Sequence, residues 1–295
     1  MQQFFTSGRM PDGVNDTSIV LIPKVKNPQS MKDFRPISLC NVIYKIISKC
    51  LVNRLRPLLD GMISPAQSAF IPGRLISDNA LIAFECMHSL STLKYQRGEF
   101  CAYKLDLAKA YDRVDWHFLK SMLGALGFAL MWINWIMTCV TTVKFAMRLN
   151  GQLLETFSPS CGLRQGDPLS PYLFLFVAEA LSLLLQNACV SGTLQEFRLN
   201  KNAPGISHLL FADDSLLFFK GSIDQAMTIK NILNMYERGT GQLLSPYKCS
   251  IMFGKSCSME NQVSTMLILK ITAEGFEDKY LGLPVPQGRM KAGRF

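Results

Sequence analysis

Histidine is scarce here: His88, His117 and His208 are the only three in 295 residues. The nine cysteines run from Cys40 to Cys257 with no Cys-x-x-Cys pair and no Cys/His cluster, which argues against zinc. The same odd, unpatterned set fits a reducing, intracellular compartment better than a disulfide framework. Long apolar runs are missing too. The longest, "GFALMWINWIMTCV" and "YLFLFVAEALSLLL", have 14 residues each, short of the ~20 that a bilayer-spanning helix needs. Both read as buried core helices, and no membrane partner is expected. The opening "MQQFFTSGRMPDG" has no charged head followed by an apolar core, so no secretory signal is read there. Internal repeats, linkers and low-complexity segments are absent.

Acids are outnumbered. The chain has 22 Asp and Glu against 31 Lys and Arg, a net charge of +9 and a pI near 9.1, the balance of a domain that meets a polyanion. Almost half of the residues are apolar, enough for a sizeable core in one large domain or two intimate subdomains. The positive charge is concentrated early: Lys32, Arg35, Lys45, Lys49, Arg54 and Arg56 face one acid, Asp33. Lys45, Lys49 and Arg56 recur near helical spacing, opposite a face of Ile43, Ile46, Ile47, Cys50 and Leu51.

"EFCAYKLDLAKAYDRVDWHFLKSMLGALGF" changes period halfway. Residues 100–106 alternate every second position, which predicts a strand. From Asp115, a fitting N-cap, Leu119, Met122, Leu123 and Leu126 follow helical spacing, and Gly127 suits the stop. Asp106 therefore sits at a strand end. In "GDPLSPYLFLF", Ser170 is read as an N-cap and Pro171 as the first helical residue. In "LLFADDSLLFF", Leu209–Ala212 and Ser215–Phe219 read as short strands with Asp213-Asp214 at the tip between them.

Two adjacent carboxylates about 4 Å apart repel by roughly 4 kcal/mol at an effective dielectric near 20. Turn aspartates that face water are the plain reading. The large apolar flanks argue instead for a rigid tip, and Asp106 on another strand end would complete a cluster. Three carboxylates suit hard divalent cations, Mg²⁺ above all. Two such ions roughly 3.5–4 Å apart can clamp both oxygens of an in-line phosphoryl displacement.

With these residues in view, the chain resembles the reverse transcriptase of a non-LTR (LINE-type) retrotransposon of the kind abundant in plants. The blocks "LIPKVKNP", "DFRPISLCNVIYKIISKCLVNRL", "QSAFIPGRLISDNALIAFE", "YKLDLAKAYDRVDW", "GLRQGDPLSPYLF", "HLLFADDSLLF", "GQLLSPYKCSIMFG" and "YLGLPVPQGR" come in the family's order. The resemblance implies an α+β fold with right-hand polymerase architecture: fingers at 1–98, a palm at 99–295 with a small antiparallel sheet backed by helices, and no thumb. Helical residues 116–150 are expected to pack with the fingers. It implies RNA-directed DNA polymerase activity, with two Mg²⁺ ions (Mn²⁺ as a substitute), an RNA template, a DNA primer and dNTPs. Nuclear or cytoplasmic residence follows from the life cycle of such an element, without a visible targeting signal.

By the same resemblance, Asp106, Asp213 and Asp214 hold metal with the backbone carbonyl of Leu107, and Lys248 protonates leaving pyrophosphate. Lys24 and Arg35 grip the triphosphate. Tyr111 packs under the sugar and excludes a 2′-hydroxyl, and Gln165 and Gly166 line the nucleotide pocket. Arg74 meets the template backbone, while Tyr280, Leu281 and Gly282 hold the primer end. By pattern alone, Tyr111 also reads as a core tyrosine and the cations as ordinary surface charge. Gly239-Thr240 and Leu244-Ser245 depart from the family's usual residues, which predicts altered stability of that turn without loss of chemistry. Nothing in the sequence answers to an endonuclease domain, and the chain is expected to end before a helical thumb. The alternative is a catalytically silent, nucleic-acid-binding remnant of a truncated element. A palm-fold nucleotide cyclase shares the carboxylate logic but has no use for "GLRQGDPLSP" or the early basic blocks.

Overall fold

The computed structural model describes residues 1–92, 99–275 and 279–284. The end of the block "YLGLPVPQGR" falls outside them. The strands are β1 (Asp16–Pro23), β2 (Phe34–Cys40), β3 (Phe100–Leu105), β4 (Lys144–Leu149), β5 (Gln152–Phe157), β6 (His208–Phe211), β7 (Asp214–Lys220), β8 (Ser250–Phe253), β9 (Ala273–Glu274), β10 (Lys279–Tyr280) and β11 (Leu283–Pro284). The helices are α1 (Gln2–Ser7), α2 (Val42–Leu55), α3 (Ile76–Thr92), α4 (Trp116–Ala125), α5 (Leu130–Thr141), α6 (Ser170–Val190), α7 (Ile223–Thr240) and α8 (Met259–Leu269).

The chain divides into two compact units, Met1–Met62 with Lys109–Val177 and Ile63–Ala108 with Ala178–Phe295. This is not a cut at residue 98. Strand β4 pairs with β1, which draws residues 109–177 to the N-terminal sheet. Helix α3 packs on Ala102, Leu216 and Phe218, which draws residues 63–92 to the strands that carry the aspartates.

In the first unit the strand order is β2-β1-β4-β5, with β1 antiparallel to β2 and parallel to β4. Asn150 and Gly151 close the β4–β5 hairpin, both at positive φ (48° and 83°), as a two-residue turn matched to strand twist requires. Asn41 caps α2 by accepting from the Ile43 amide. The helix is turned relative to its expected apolar face: Ile43 and Ile46 are exposed, and the core takes Tyr44, Ile47, Ser48, Leu51, Val52 and Leu55. Tyr44 wins the buried seat because its hydroxyl has a partner there, donating to Asp167 Oδ2 at 2.6 Å.

That bond belongs to a buried polar network that fixes "GLRQGDP". Arg164 pairs with Asp167 at 3.1 Å, and its guanidinium carbon lies 3.9 Å from the centre of the Tyr44 ring. It also donates to Asn15 Oδ1 at 2.7 Å, Thr17 Oγ1 at 3.2 Å and the Cys139 carbonyl at 2.9 Å. Asp167 accepts from the Leu169 amide as well. Breaking a buried pair of this kind by removing one partner costs about 3–5 kcal/mol, so this motif is held rigid.

In the second unit the order is β6-β7-β3-β8-β9, with β3 antiparallel to both neighbours and only the β8–β9 edge parallel. Alternation sorts the side chains into two cores. Cys101, Tyr103 and Leu105 with Leu217 and Phe219 face Leu181 and Leu185 of α6 and Ile229, Leu233 and Tyr236 of α7. Ala102 with Leu216 and Phe218 faces Ala83, Phe84 and Met87 of α3. Helices therefore cover both faces, which explains why "LLF" and "SLLFF" are continuously apolar. Helix α6 is longer than the 14-residue run read from sequence. Among the described residues it alone is long and apolar enough to cross a membrane, but 61% of its apolar window is buried inside the protein, which marks a core helix.

The loop before α3 is held by buried charge. The Ser64 amide donates to Glu179 Oε2 at 2.9 Å. Arg74 donates to the carbonyls of Ser64 (2.6 Å), Gln67 (2.6 Å) and Ile63 (3.0 Å). Burial pushes the Glu179 carboxyl up to about 7, against the opposing pull of the Ser64 amide and Arg74. A carboxyl raised on folding stabilises fully below about 4.5, and that contribution is lost as pH rises through about 7. Glu179→Gln, which cannot ionise, should therefore raise stability at pH 8 by a few kcal/mol, with the gain shrinking to nothing near pH 4.5. Urea unfolding at the two pH values checks this; a gain independent of pH would show that Glu179 does not titrate as stated.

Candidate active site

The three aspartates come together through strand register. Phe211 pairs with Asp214, so the tip of the β6–β7 hairpin is Ala212-Asp213, and Asp214 is the first residue of β7. The tip lies one residue earlier than expected because Ala212 turns left-handed, at φ 54°. Leu105 pairs with Ser215; one step on, the antiparallel register brings Asp106 opposite Asp214. On the other side Lys104 pairs with Ser250, and the turn that leads into β8 carries Lys248. The Lys248 ammonium lies 3.8 Å from Asp106 Oδ1.

Backbone contacts fix Asp106 in this row. Its amide donates to Cys249 Sγ at 3.4 Å, and its carbonyl accepts from the Ser245 amide at 2.8 Å. The Ala108 amide donates to the Leu243 carbonyl, also at 2.8 Å, around an antiparallel bridge between Leu107 and Leu244. In this pattern the flanking residues make the bonds, so Leu107's own carbonyl turns away from the bridge. Leu244-Ser245, expected to matter only for the stability of a turn, thus seats the Asp106 loop directly.

The electrostatics follow from this crowding. Asp213 and Asp214 are exposed at the surface, yet the surrounding protein excludes enough water to raise the Asp214 carboxyl above its ordinary value. The charge of Asp213 raises it further, Lys104 lowers it and Asp106 raises it again. Lys104 went unnoticed in the sequence, although the strand alternation places it two residues before Asp106. Among the described residues no group of three or more His, Cys, Asp or Glu side chains is arranged to hold a metal ion. The three carboxylates stand close enough to act on one another's charge, and Asp106 lies beside a lysine. Their chemistry still fits a hard divalent cation, since three carboxylates and an outward backbone carbonyl are all oxygen donors.

The remaining expected residues fall in both units. In the second, Tyr280 is buried and its hydroxyl donates to Asn79 Oδ1 at 3.2 Å. Burial, then the charge of Asp214, pushes its phenol up. Leu281 (φ 50°) and Gly282 (φ 80°) form the two-residue turn of the β10–β11 hairpin. The Arg74 guanidinium, half-buried, is engaged by the three loop carbonyls described above.

In the first unit, Lys24 is exposed and donates from Nζ to the Lys32 carbonyl at 3.0 Å, and Arg35 is exposed on β2 opposite Ile22. Tyr111 stacks on Phe174, ring centres 4.9 Å apart and nearly parallel. Gln165 Nε2 donates to Asp112 Oδ1 at 3.3 Å, and its carbonyl accepts from the Ser38 amide at 2.8 Å. Gly166 adopts φ 102°, and a Cβ there would sit 3.2 Å from the Ser38 carbonyl oxygen. The close approach that needs glycine is thus to β2 of the same unit.

Coupling between the carboxylates is directly measurable. Asp106→Asn removes a negative neighbour, so the Asp214 carboxyl should titrate lower than in the parent protein. Carbon-13 NMR of the side-chain carboxyls follows this, and an unmoved Asp214 would show that the two groups do not share a site.

Comparison with known proteins agrees with the geometry. The profile of the family described as reverse transcriptase (RNA-dependent DNA polymerase) matches residues 22–285. A 149 kDa protein of transposon TX1 from Xenopus laevis is 29% identical over 227 residues, 76% of this chain and 16% of that protein. The Pol polyprotein of retrotransposable element R2DM from Drosophila melanogaster is 29% identical over 212 residues, 72% of this chain and 19% of that protein. This chain thus spans under a fifth of either relative. Telomerase from Candida tropicalis superposes with a TM-score of 0.59 at 12% identity, over 85% of this chain and 42% of that one, a likeness of fold: the right-hand polymerase architecture. With acids gathered at adjoining strand ends and a profile match over nearly its whole length, the chain belongs to the reverse transcriptase family, as a domain of the non-LTR retrotransposon type.

Proposed function

We propose that this chain performs RNA-templated DNA synthesis, joining a dNTP to the 3′-hydroxyl of a DNA primer and releasing pyrophosphate. One observation carries the reading: Asp106, just past the end of β3, stands beside Asp214 at the start of the adjoining β7, with Asp213 at the turn and the Lys248 ammonium 3.8 Å from Asp106. Divalent cations serve this family generally. Two Mg²⁺ ions, with Mn²⁺ as a substitute, would be held by Asp106, Asp213, Asp214 and the Leu107 carbonyl. When bound they supply charge stabilisation to phosphate oxygens and ease loss of the hydroxyl proton.

The chain's own groups do the rest. Lys248, already beside Asp106, is the proton donor and counter-charge for departing pyrophosphate. Lys24 and Arg35 offer exposed cations suited to a triphosphate. Tyr111, held flat on Phe174, is the sugar-selecting aromatic, and Gln165-Gly166 is a braced wall of the nucleotide pocket. Tyr280, Leu281 and Gly282 form the primer-holding turn. The second unit takes the role of palm, and the first that of fingers. Because base pairing reads the template, the protein should meet RNA through backbone and shape, with steep salt dependence.

Primer extension on poly(rA)/oligo(dT) with Mg²⁺ tests the proposal. Asp213→Asn with Asp214→Asn should lose at least about 10³-fold in rate, and equal signal from parent and variant would discard the catalytic assignment in favour of a silent binding remnant. In the same assay Tyr111→Val should raise ribonucleotide incorporation, and an unchanged ratio of ribo- to deoxynucleotide use would remove Tyr111 from that role.

A further inference from the structure

The left-handed residue that aims the Asp213-Asp214 hairpin is an alanine. Ala212 has φ 54°, a conformation that costs an L-residue roughly 1–2 kcal/mol and that this turn sequence does not itself favour. Something else must hold it. The side chain of Gln67, completely buried, is the group in place. Its Oε1 accepts from the Ala212 amide at 3.0 Å, and its Nε2 donates to the Ala212 carbonyl at 3.5 Å. Oε1 also accepts from the Ala69 amide at 2.9 Å. One amide side chain thus grips both backbone groups of the residue just before Asp213.

Gln67 is itself anchored. Residues 66–68 run beside β6: Leu210 donates to the Ala66 carbonyl at 2.8 Å, and Ser68 donates to the Leu210 carbonyl at 3.1 Å, around a parallel bridge between Gln67 and Leu210. The Gln67 carbonyl is one of the three held by Arg74. Asn79 Nδ2 donates to Ser68 Oγ at 2.7 Å and to the Leu210 carbonyl at 3.0 Å, while Asn79 Oδ1 accepts from Tyr280. A buried loop could satisfy its amides in many ways; here two bonds of one side chain converge on the residue whose dihedrals set where Asp213 points.

We infer that Gln67 is a positioning residue for metal binding: it holds Ala212 left-handed and so aims Asp213 and Asp214, with Asn79 linking the same support to Tyr280. This rests on the reading of those aspartates as metal ligands. The near-isosteric Gln67→Met, made in the full chain, removes the grip. Mn²⁺ affinity, read by electron paramagnetic resonance, should fall at least about tenfold, and amide exchange at Ala212 and Asp213 should quicken by a similar factor. Adding Ala212→Gly should recover part of the Mn²⁺ affinity, because glycine adopts the left-handed conformation without the cost that alanine bears.

A folded Gln67→Met variant with unchanged affinity and exchange would overturn the inference. So would a double variant no better than the single one. If Gln67→Met does not fold, recovery of a cooperative thermal transition on adding Ala212→Gly supports the role, and no recovery refutes it. A parent protein that binds no Mn²⁺ would sink the metal-site reading alone, since metal-free amide exchange still decides whether Gln67 holds the turn.

Discussion

A one-residue slip of β7 along β3 would move Leu217 and Phe219 to the face now occupied by Leu216 and Phe218, exchanging the side chains of two filled cores. Hydrophobic sorting on both faces therefore enforces a single register. The same register sets Asp106 opposite Asp214. Large apolar side chains, none of which touches a substrate, decide where the acids stand, and the charges inherit that precision.

Like charges side by side resist this arrangement, and the structure moderates the repulsion without abolishing it. Lys248 and Lys104 lie close enough to offset part of the field, while desolvation and the other acids still raise Asp214. A site in this condition has affinity in reserve for cations. In the first unit the logic is reversed: opposite charges are buried and fully partnered, so Arg164 and Asp167 give rigidity to "GLRQGDP" and leave Gln165 and Gly166 braced against β2. An overall charge of +9 thus coexists with a local acidic point, since most cations lie elsewhere.

Much of this could be read in the residues. The period-two run of 100–106, the Asp115 cap (its Oδ1 accepts from Phe118 at 2.7 Å) and the Asn-Gly hairpin follow from local rules, and the structure agrees with the sequence there. What escaped depended on partners distant in the chain. The face of α2 turned because Tyr44 finds Asp167, 123 residues away. The hairpin tip moved because Gln67 grips Ala212 across 145 residues. The three carbonyls that Arg74 holds are likewise invisible to any local rule. Periodicity says which face a side chain takes; it does not say which buried hydrogen bond overrides that choice.

A sheet covered on both sides by helices is also the part of a protein slowest to open. Local fluctuations concentrate where apolar contacts thin out, at tips and turns, and the strands between two cores exchange their amides only in the rarest openings. Here the reactive acids stand at the boundary of those regimes, with β3 and β7 beneath them and solvent above. The base of the site is therefore stiff, and the freedom left to the carboxylates is side-chain rotation at the rim.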